Sequence, residues 1–102
     1  MIYVKQHNTE KGRIIAMCDE GVVGKVLTEG AREIDLQKYS DFYKGKLITP
    51  EQAEEEIGED PFFSANIVGK DAVDVFIKKG VVQQESVSTI AGVPFVHIYS
   101  IE

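Results

Sequence analysis

The chain has 102 residues, 43% apolar and 27% charged, with 11 basic and 17 acidic side chains and a formal net charge of -6. That length holds one hydrophobic core, and the apolar share is enough to fold it, which excludes two independent domains and a disordered chain. No apolar run nears the ~20 residues that span a bilayer, Met1-Ile2-Tyr3-Val4-Lys5 lacks a secretory pattern, and the lone Cys18 can close neither an intramolecular disulfide nor a zinc site; one cytoplasmic domain without membrane, metal or cofactor is expected.

The chain opens with the β-favouring stretch 2–6, and 13–17 follows across Asn8-Thr9-Glu10-Lys11-Gly12, which predicts a hairpin with a loop of about five residues. The segment 19–24 breaks the strand pattern as a turn or one helical turn. Stretches 25–28 and 32–36, parted by Glu29-Gly30, are short strand candidates. Thr49-Pro50-Glu51-Gln52 then reads as a helix start: Thr49 caps free amides, Pro50 fits the first helical position, and Gln52 completes a capping box. This helix runs from Pro50 to Ile57, buries Ala53 and Ile57, and stops at Gly58.

A second helix is predicted from Gly69 or Lys70 to Lys79, with Ala72, Val73, Phe76 and Ile77 on its apolar face and Gly80 as the left-handed stop. Asp71 at its start and Lys78-Lys79 at its end complement the helix dipole. The stretches 86–90 and 95–101, joined around Gly92, predict an antiparallel pair in which Pro94 is confined to an edge or a strand start. Strands at both ends and helices in the second half imply an α+β two-layer sandwich, a mainly antiparallel sheet with helices packed on one face.

The acidity is concentrated. Residues 49 to 60 carry Glu51, Glu54, Glu55, Glu56, Glu59 and Asp60 without a Lys or Arg, and the 11 acids that remain match the 11 bases. One face is thus free to present Lys and Arg to phosphate while the acidic segment, read as a solvated face without calcium-loop spacing, points away.

Gly21-Val22-Val23-Gly24-Lys25 fails as a phosphate loop, because Asp19 stands where the first glycine belongs and Val26 replaces the hydroxyl after Lys25. In Cys18-Asp19-Glu20 the neighbouring carboxylates disfavour a thiolate, so a strand end with Asp19 capping the next turn fits better than a nucleophile. Ser64-Ala65-Asn66-Ile67-Val68-Gly69-Lys70 leads into the second helix, whose free amides can receive an anion. There Gly69 allows close approach while Ser64, Asn66 and Lys70 donate; the plainer alternative is that Ser64 and Asn66 satisfy the helix start. Lys38-Tyr39-Ser40-Asp41-Phe42-Tyr43-Lys44-Gly45-Lys46 mixes aromatic and basic side chains as RNA binders do, although such aromatics more often anchor a segment on the core. His7 and His97 could meet across a sheet, but without a partner acid each reads as a structural or surface residue.

The ordered set Cys18-Asp19-Glu20, Gly24-Lys25, Tyr43, Ser64-Ala65-Asn66 with Val68-Gly69, and Ala91-Gly92-Val93-Pro94 resembles an archaeal family of uncharacterised proteins, the domain-of-unknown-function family numbered 424, over essentially the whole chain. The resemblance implies a small cytosolic protein with a two-layer fold and an association with the translation machinery, and it supplies no activity. Lys44 stands where the family favours a second glycine after the aromatic, which tells against a tight backbone approach at Tyr43.

The leading expectation is a non-catalytic binding module acting on RNA or a ribonucleoprotein. Its candidate binding residues are Cys18, Asp19, Glu20, Gly24, Lys25, Tyr43, Lys44, Lys46, Ser64, Asn66, Gly69 and Lys70, and none is assigned a catalytic role. One alternative is a scaffold subunit whose acidic helix engages a basic protein partner. Another is a small-molecule-binding protein or enzyme, which requires Asp19, Glu20 and Asn66 to converge in one pocket.

Overall fold

In the computed structural model, which describes residues 1–99, β1 (Ile2–Thr9) and β2 (Gly12–Asp19) pair antiparallel from Ile2↔Asp19 to Thr9↔Gly12. The predicted five-residue loop contracts to Glu10-Lys11. Thr9 closes it locally: its hydroxyl donates to the Gly12 carbonyl at 2.7 Å and accepts from the Lys11 amide at 3.2 Å.

The chain continues through β3 (Val26–Glu29), β4 (Arg32–Asp35), the single-turn α1 (Ser40–Tyr43), β5 (Lys46–Ile48) and α2 (Pro50–Ile57). Then come β6 (Ser64–Val68), α3 (Lys70–Lys78), a 3-10 turn at Gln84–Ser86, β7 (Ser88–Ile90) and β8 (Val93–Tyr99). β3 and β4 form a separate hairpin, and the others make a six-stranded sheet in the order β5-β1-β2-β6-β8-β7. Every pair in that sheet is antiparallel except β2 with β6, so the mainly antiparallel α+β fold expected from the sequence is the one observed. The predicted reach of the last strand to Ile101 extends beyond the described residues.

Side chains alternate across the sheet. Ile2, Val4, Ile15, Met17, Ala65, Ile67 and Val96 face α2 and α3, where Ala53, Ile57, Ala72, Val73 and Phe76 complete the core. The capping box that starts α2 is present, with Thr49 Oγ1 accepting from the Gln52 amide at 3.1 Å and Gln52 Oε1 accepting from the Thr49 amide at 3.0 Å. On the opposite face, Ala16, Cys18 and Val68 lie under Leu27, Leu36 and Tyr43, contributed by the β3–β4 hairpin, the turn after it and α1. The two long helices therefore share one face as expected, while the hairpin and α1 partly cover the other.

The segment that leads into the second helix is itself a strand, the central β6, whose residues are buried except for a half-buried Asn66. His7 on β1 and His97 on β8 are separated by β2 and β6 and do not meet.

α3 begins directly after β6, and its start is closed from within. Asp19, the last residue of β2, places its carboxylate against the helix, with Oδ1 accepting from the Ala72 amide at 2.8 Å and Oδ2 from the Asp71 amide at 3.1 Å. Gly69 adopts a φ of 111°, and a Cβ there would run into the Asp19 carboxylate. Its own amide donates to the Pro94 carbonyl at 2.8 Å. Burial pushes the Asp19 carboxyl above its ordinary pKa, and the two amides pull partly back.

Asp19→Ala leaves two helix amides unsatisfied and should lower the unfolding free energy by about 1–2 kcal/mol in urea titrations. Gly69→Ala adds a steric overlap to a left-handed backbone and should cost about 2 kcal/mol or more. Because the overlap is largely with the Asp19 carboxylate, the double variant should lose less than the sum; strict additivity would show that the two residues are not coupled.

Candidate functional site

At residues 64–70, where the sequence suggests an anion site, the start of α3 is already engaged within the chain. The Asp71 and Ala72 amides are taken by Asp19, Ser64 is only 4% exposed, and Lys70 pairs with Asp74 at 3.4 Å on the surface of its own helix. Ser64-Ala65-Asn66 and Val68-Gly69 do come together with Cys18-Asp19 and Pro94, through the registers Cys18↔Val68 and Val68↔Phe95. Their meeting builds a helix cap. Asp19 lies on the α3 face of the sheet and Asn66 on the opposite face, so Asp19, Glu20 and Asn66 do not converge in one pocket.

Gly24 and Lys25 extend the β3–β4 ladder: the Gly24 amide donates to the Leu36 carbonyl at 2.9 Å, and the Leu36 amide donates to the Lys25 carbonyl at 2.8 Å. Glu20 is exposed, and its amide donates to the Met1 carbonyl. Cys18 is fully buried, and burial first, then the Asp19 charge, pushes its thiol up to about 12. Tyr43, buried at the end of α1, is likewise pushed up to about 12 by burial and by Cys18. Lys44 is exposed, whereas Lys46 sits on the edge strand and pairs with Glu56 of the acidic helix at 2.8 Å.

The aromatics of 38–46 divide between the two readings given them. Phe42 stacks on His7 with ring centroids 4.5 Å apart and meets Tyr43 edge-on at 5.2 Å, so these two anchor α1 on the sheet. Tyr39 is 55% exposed with Lys38 Nζ 5.5 Å above its ring.

Between the hairpin, α1 and the sheet lies a cleft of about 420 Å³, lined by Glu33, Ile34, Asp35, Leu36, Tyr39, Phe42, Tyr43 and Asn66. A second depression of about 220 Å³ shares Ile34, Tyr43 and Asn66 and continues past Phe95 to His97. Neither the Asn66 amide nor the Tyr43 hydroxyl bonds to another described residue, and no buried side-chain polar atom among those residues lacks a partner. Both groups therefore keep some contact with solvent, and both residues line the cleft. Beyond it, His97 and Tyr99 are exposed on β8 with centroids 4.6 Å apart. Phe63 meets Tyr99 edge-on at 6.2 Å, and Lys11 Nζ stands 5.8 Å from the Phe63 ring.

His97, Tyr99 and Phe63 were not among the candidate residues. The signal lay in Phe95-Val96-His97-Ile98-Tyr99, where aromatic and aliphatic side chains alternate and a period of two puts every ring on one face.

The acids of α2 belong to the other side of the molecule. Glu56 pairs with Lys46, and Glu59, just beyond the helix, with Lys79 at 3.7 Å, while Glu51 and Glu54 border a groove of about 170 Å³ with Asp71 and Asp74 of α3. Among the described residues no group of His, Cys, Asp and Glu is arranged to hold a metal ion, and no helix is long and apolar enough to cross a membrane. The buried, protonated Cys18 thiol should resist iodoacetamide at pH 8 in the native protein and react only after unfolding in urea; rapid native labelling followed by mass spectrometry would show it to be accessible.

The family model for proteins of unknown function called DUF424 matches residues 7–101. No curated protein matches the chain. Among solved structures, the crystal structure of an uncharacterised conserved protein from Methanopyrus kandleri superposes with a TM-score of 0.82 at 27% identity, covering 96% of this chain and 90% of that one. With the match spanning nearly the whole sequence, and the cap residues Asp19, Gly69 and Pro94 meeting in the fold, this chain belongs to the DUF424 family.

Proposed function

We propose that the protein is a non-catalytic binding module for single-stranded RNA, whose bases stack on the open face of the sheet. The observation that carries this reading is the pair of exposed rings, His97 and Tyr99, standing beside Asn66 on the face opposite the acidic helix. Every base has a π face, and stacking on such rings contributes about 1–3 kcal/mol per base whatever the sequence. Sheet-borne aromatics serve this purpose in common RNA-binding folds. Lys11 beside Phe63 and Lys38 beside Tyr39 add cations near the aromatic side chains, suited to the phosphates of a strand lying across them.

Catalysis has little footing in these residues, since the Cys18 thiol is buried and protonated and the Asp19 carboxylate is committed to α3. Docking of a basic protein on α2 is less supported, because Glu56 already pairs with Lys46 within the chain. The association with translation implied by the sequence resemblance accords with an RNA ligand.

A fluorescently labelled single-stranded RNA octamer should bind, as read by anisotropy, with a shallow salt dependence. Two phosphate contacts give a log–log slope of about -1.4. His97→Ala and Tyr99→Ala should each weaken binding by about 5- to 150-fold, while Lys70→Ala, on α3, should leave it unchanged. Absence of binding, or affinity indifferent to both aromatic substitutions, would refute the reading.

A further inference from the structure

The geometry points to the cleft beside Asn66 as a base-reading pocket that takes one unstacked nucleobase bearing an exocyclic amino group and discriminates against uracil. This extends the RNA reading and rests on it for the source of the base.

Shape and charge select the ligand class. At about 420 Å³ the cleft falls within the range of small-molecule sites, and its walls include Ile34, Leu36, Tyr39 and Phe42, which suit a flat ring. Among the described residues no cation lines it, and Glu33 and Asp35 are both present, so a phosphate or carboxylate ligand would be repelled. A base can enter while its phosphates stay outside.

Hydrogen bonding narrows the class further. The Asn66 amide offers one acceptor and a donor group at the cleft wall, and Tyr43 adds a hydroxyl. An asparagine amide matches an amino group adjacent to a ring nitrogen, the pairing offered by adenine and cytosine. Asp35 is partly committed, its Oδ1 accepting from the Gln37 amide at 3.1 Å and the Lys38 amide at 2.8 Å. Glu33 makes no hydrogen bond to another described residue and is available to accept from an amino group. Uracil can also pair with the asparagine amide, through its N3–H and O4 with the amide turned over, so the discrimination falls to Glu33: its carboxylate can only accept, and uracil sets a carbonyl where cytosine offers an amino group.

The cleft is also continuous with the stacking surface. Asn66 and Tyr43 border both depressions, and His97 lies across the strand pair from Asn66. A strand stacked on His97 can therefore turn its neighbouring base past Asn66 into the cleft.

The test is a titration of the full chain with free adenosine, cytidine and uridine, followed by the side-chain amide resonances of Asn66 in nitrogen–proton correlation spectra. Adenosine and cytidine should move those resonances, with uridine binding about tenfold more weakly. Tyr43→Phe keeps the buried ring and should weaken adenosine binding. Glu33→Gln, whose amide can donate to the uracil carbonyl, should remove the preference over uridine, while Asn66→Ala should weaken every nucleoside, as read from the remaining cleft resonances. Uridine binding as well as adenosine, or no nucleoside affecting Asn66, overturns the pocket. The octamer experiment fails separately: octamer binding without a nucleoside response leaves the stacking surface and removes the pocket. A nucleoside response without octamer binding keeps the pocket, as a site for free nucleosides, and removes the RNA reading.

Discussion

The carboxylate of Asp19 lodged in the first turn of α3 is the contact around which the remaining parts are arranged. It joins the end of β2 to the start of a helix 52 residues further along the chain, and the space it occupies is the space a Cβ at position 69 would need. Gly69 in turn hands its amide to Pro94, so three distant segments are pinned at one point. With β2 and β6 held side by side and parallel, α3 must leave on one face of the sheet. The same register turns Asn66 toward the opposite face. A helix terminus that elsewhere would be free to bind an anion is here spent on assembly, and the chemistry moves across the sheet.

That division has an electrostatic consequence. The acids of α2 lie on the helical face, whereas the exposed rings of His97 and Tyr99 and the open amide of Asn66 lie on the other. Packed layers stand about 10 Å apart, comparable to the screening length of about 8 Å at physiological ionic strength. Surface carboxylates on the helical side therefore repel a phosphate on the far side only weakly. The net charge of -6 is a poor guide to what the aromatic face can approach.

Elements whose signals are local could be read directly. The α2 cap lies within Thr49-Pro50-Glu51-Gln52, and α3 follows the apolar period from Ala72 to Phe76. β6 could not be read in this way. A central strand buried on both faces lacks the polar alternation of a half-exposed one, and Ser64 and Asn66 made it resemble a helix start. α1 and β5 span only four and three residues and are defined by what they pack against. Asp19 was legible as a capping residue, but its target was not, because a contact across 52 positions leaves no local pattern. The aromatic face was legible in the alternation of β8, where the same period of two that marks a strand also sets its rings on one side.

The central position of Asn66 is difficult to explain by stability alone. A half-buried amide on an inner strand gains nothing from the core, and an apolar side chain there would remove the cost of holding polar atoms beside Tyr43 and Ile34. Its neighbours add to the cost, since His97 and Tyr99 leave aromatic surface uncovered where polar side chains would serve solubility better. Elsewhere the chain follows the rules of a well-packed domain: the starts of α2 and α3 are capped and no polar side-chain atom is buried without a partner among the described residues. Departures from those rules that gather on one contiguous surface, with an open amide and hydroxyl between exposed rings, are the pattern expected where stability has been traded for recognition.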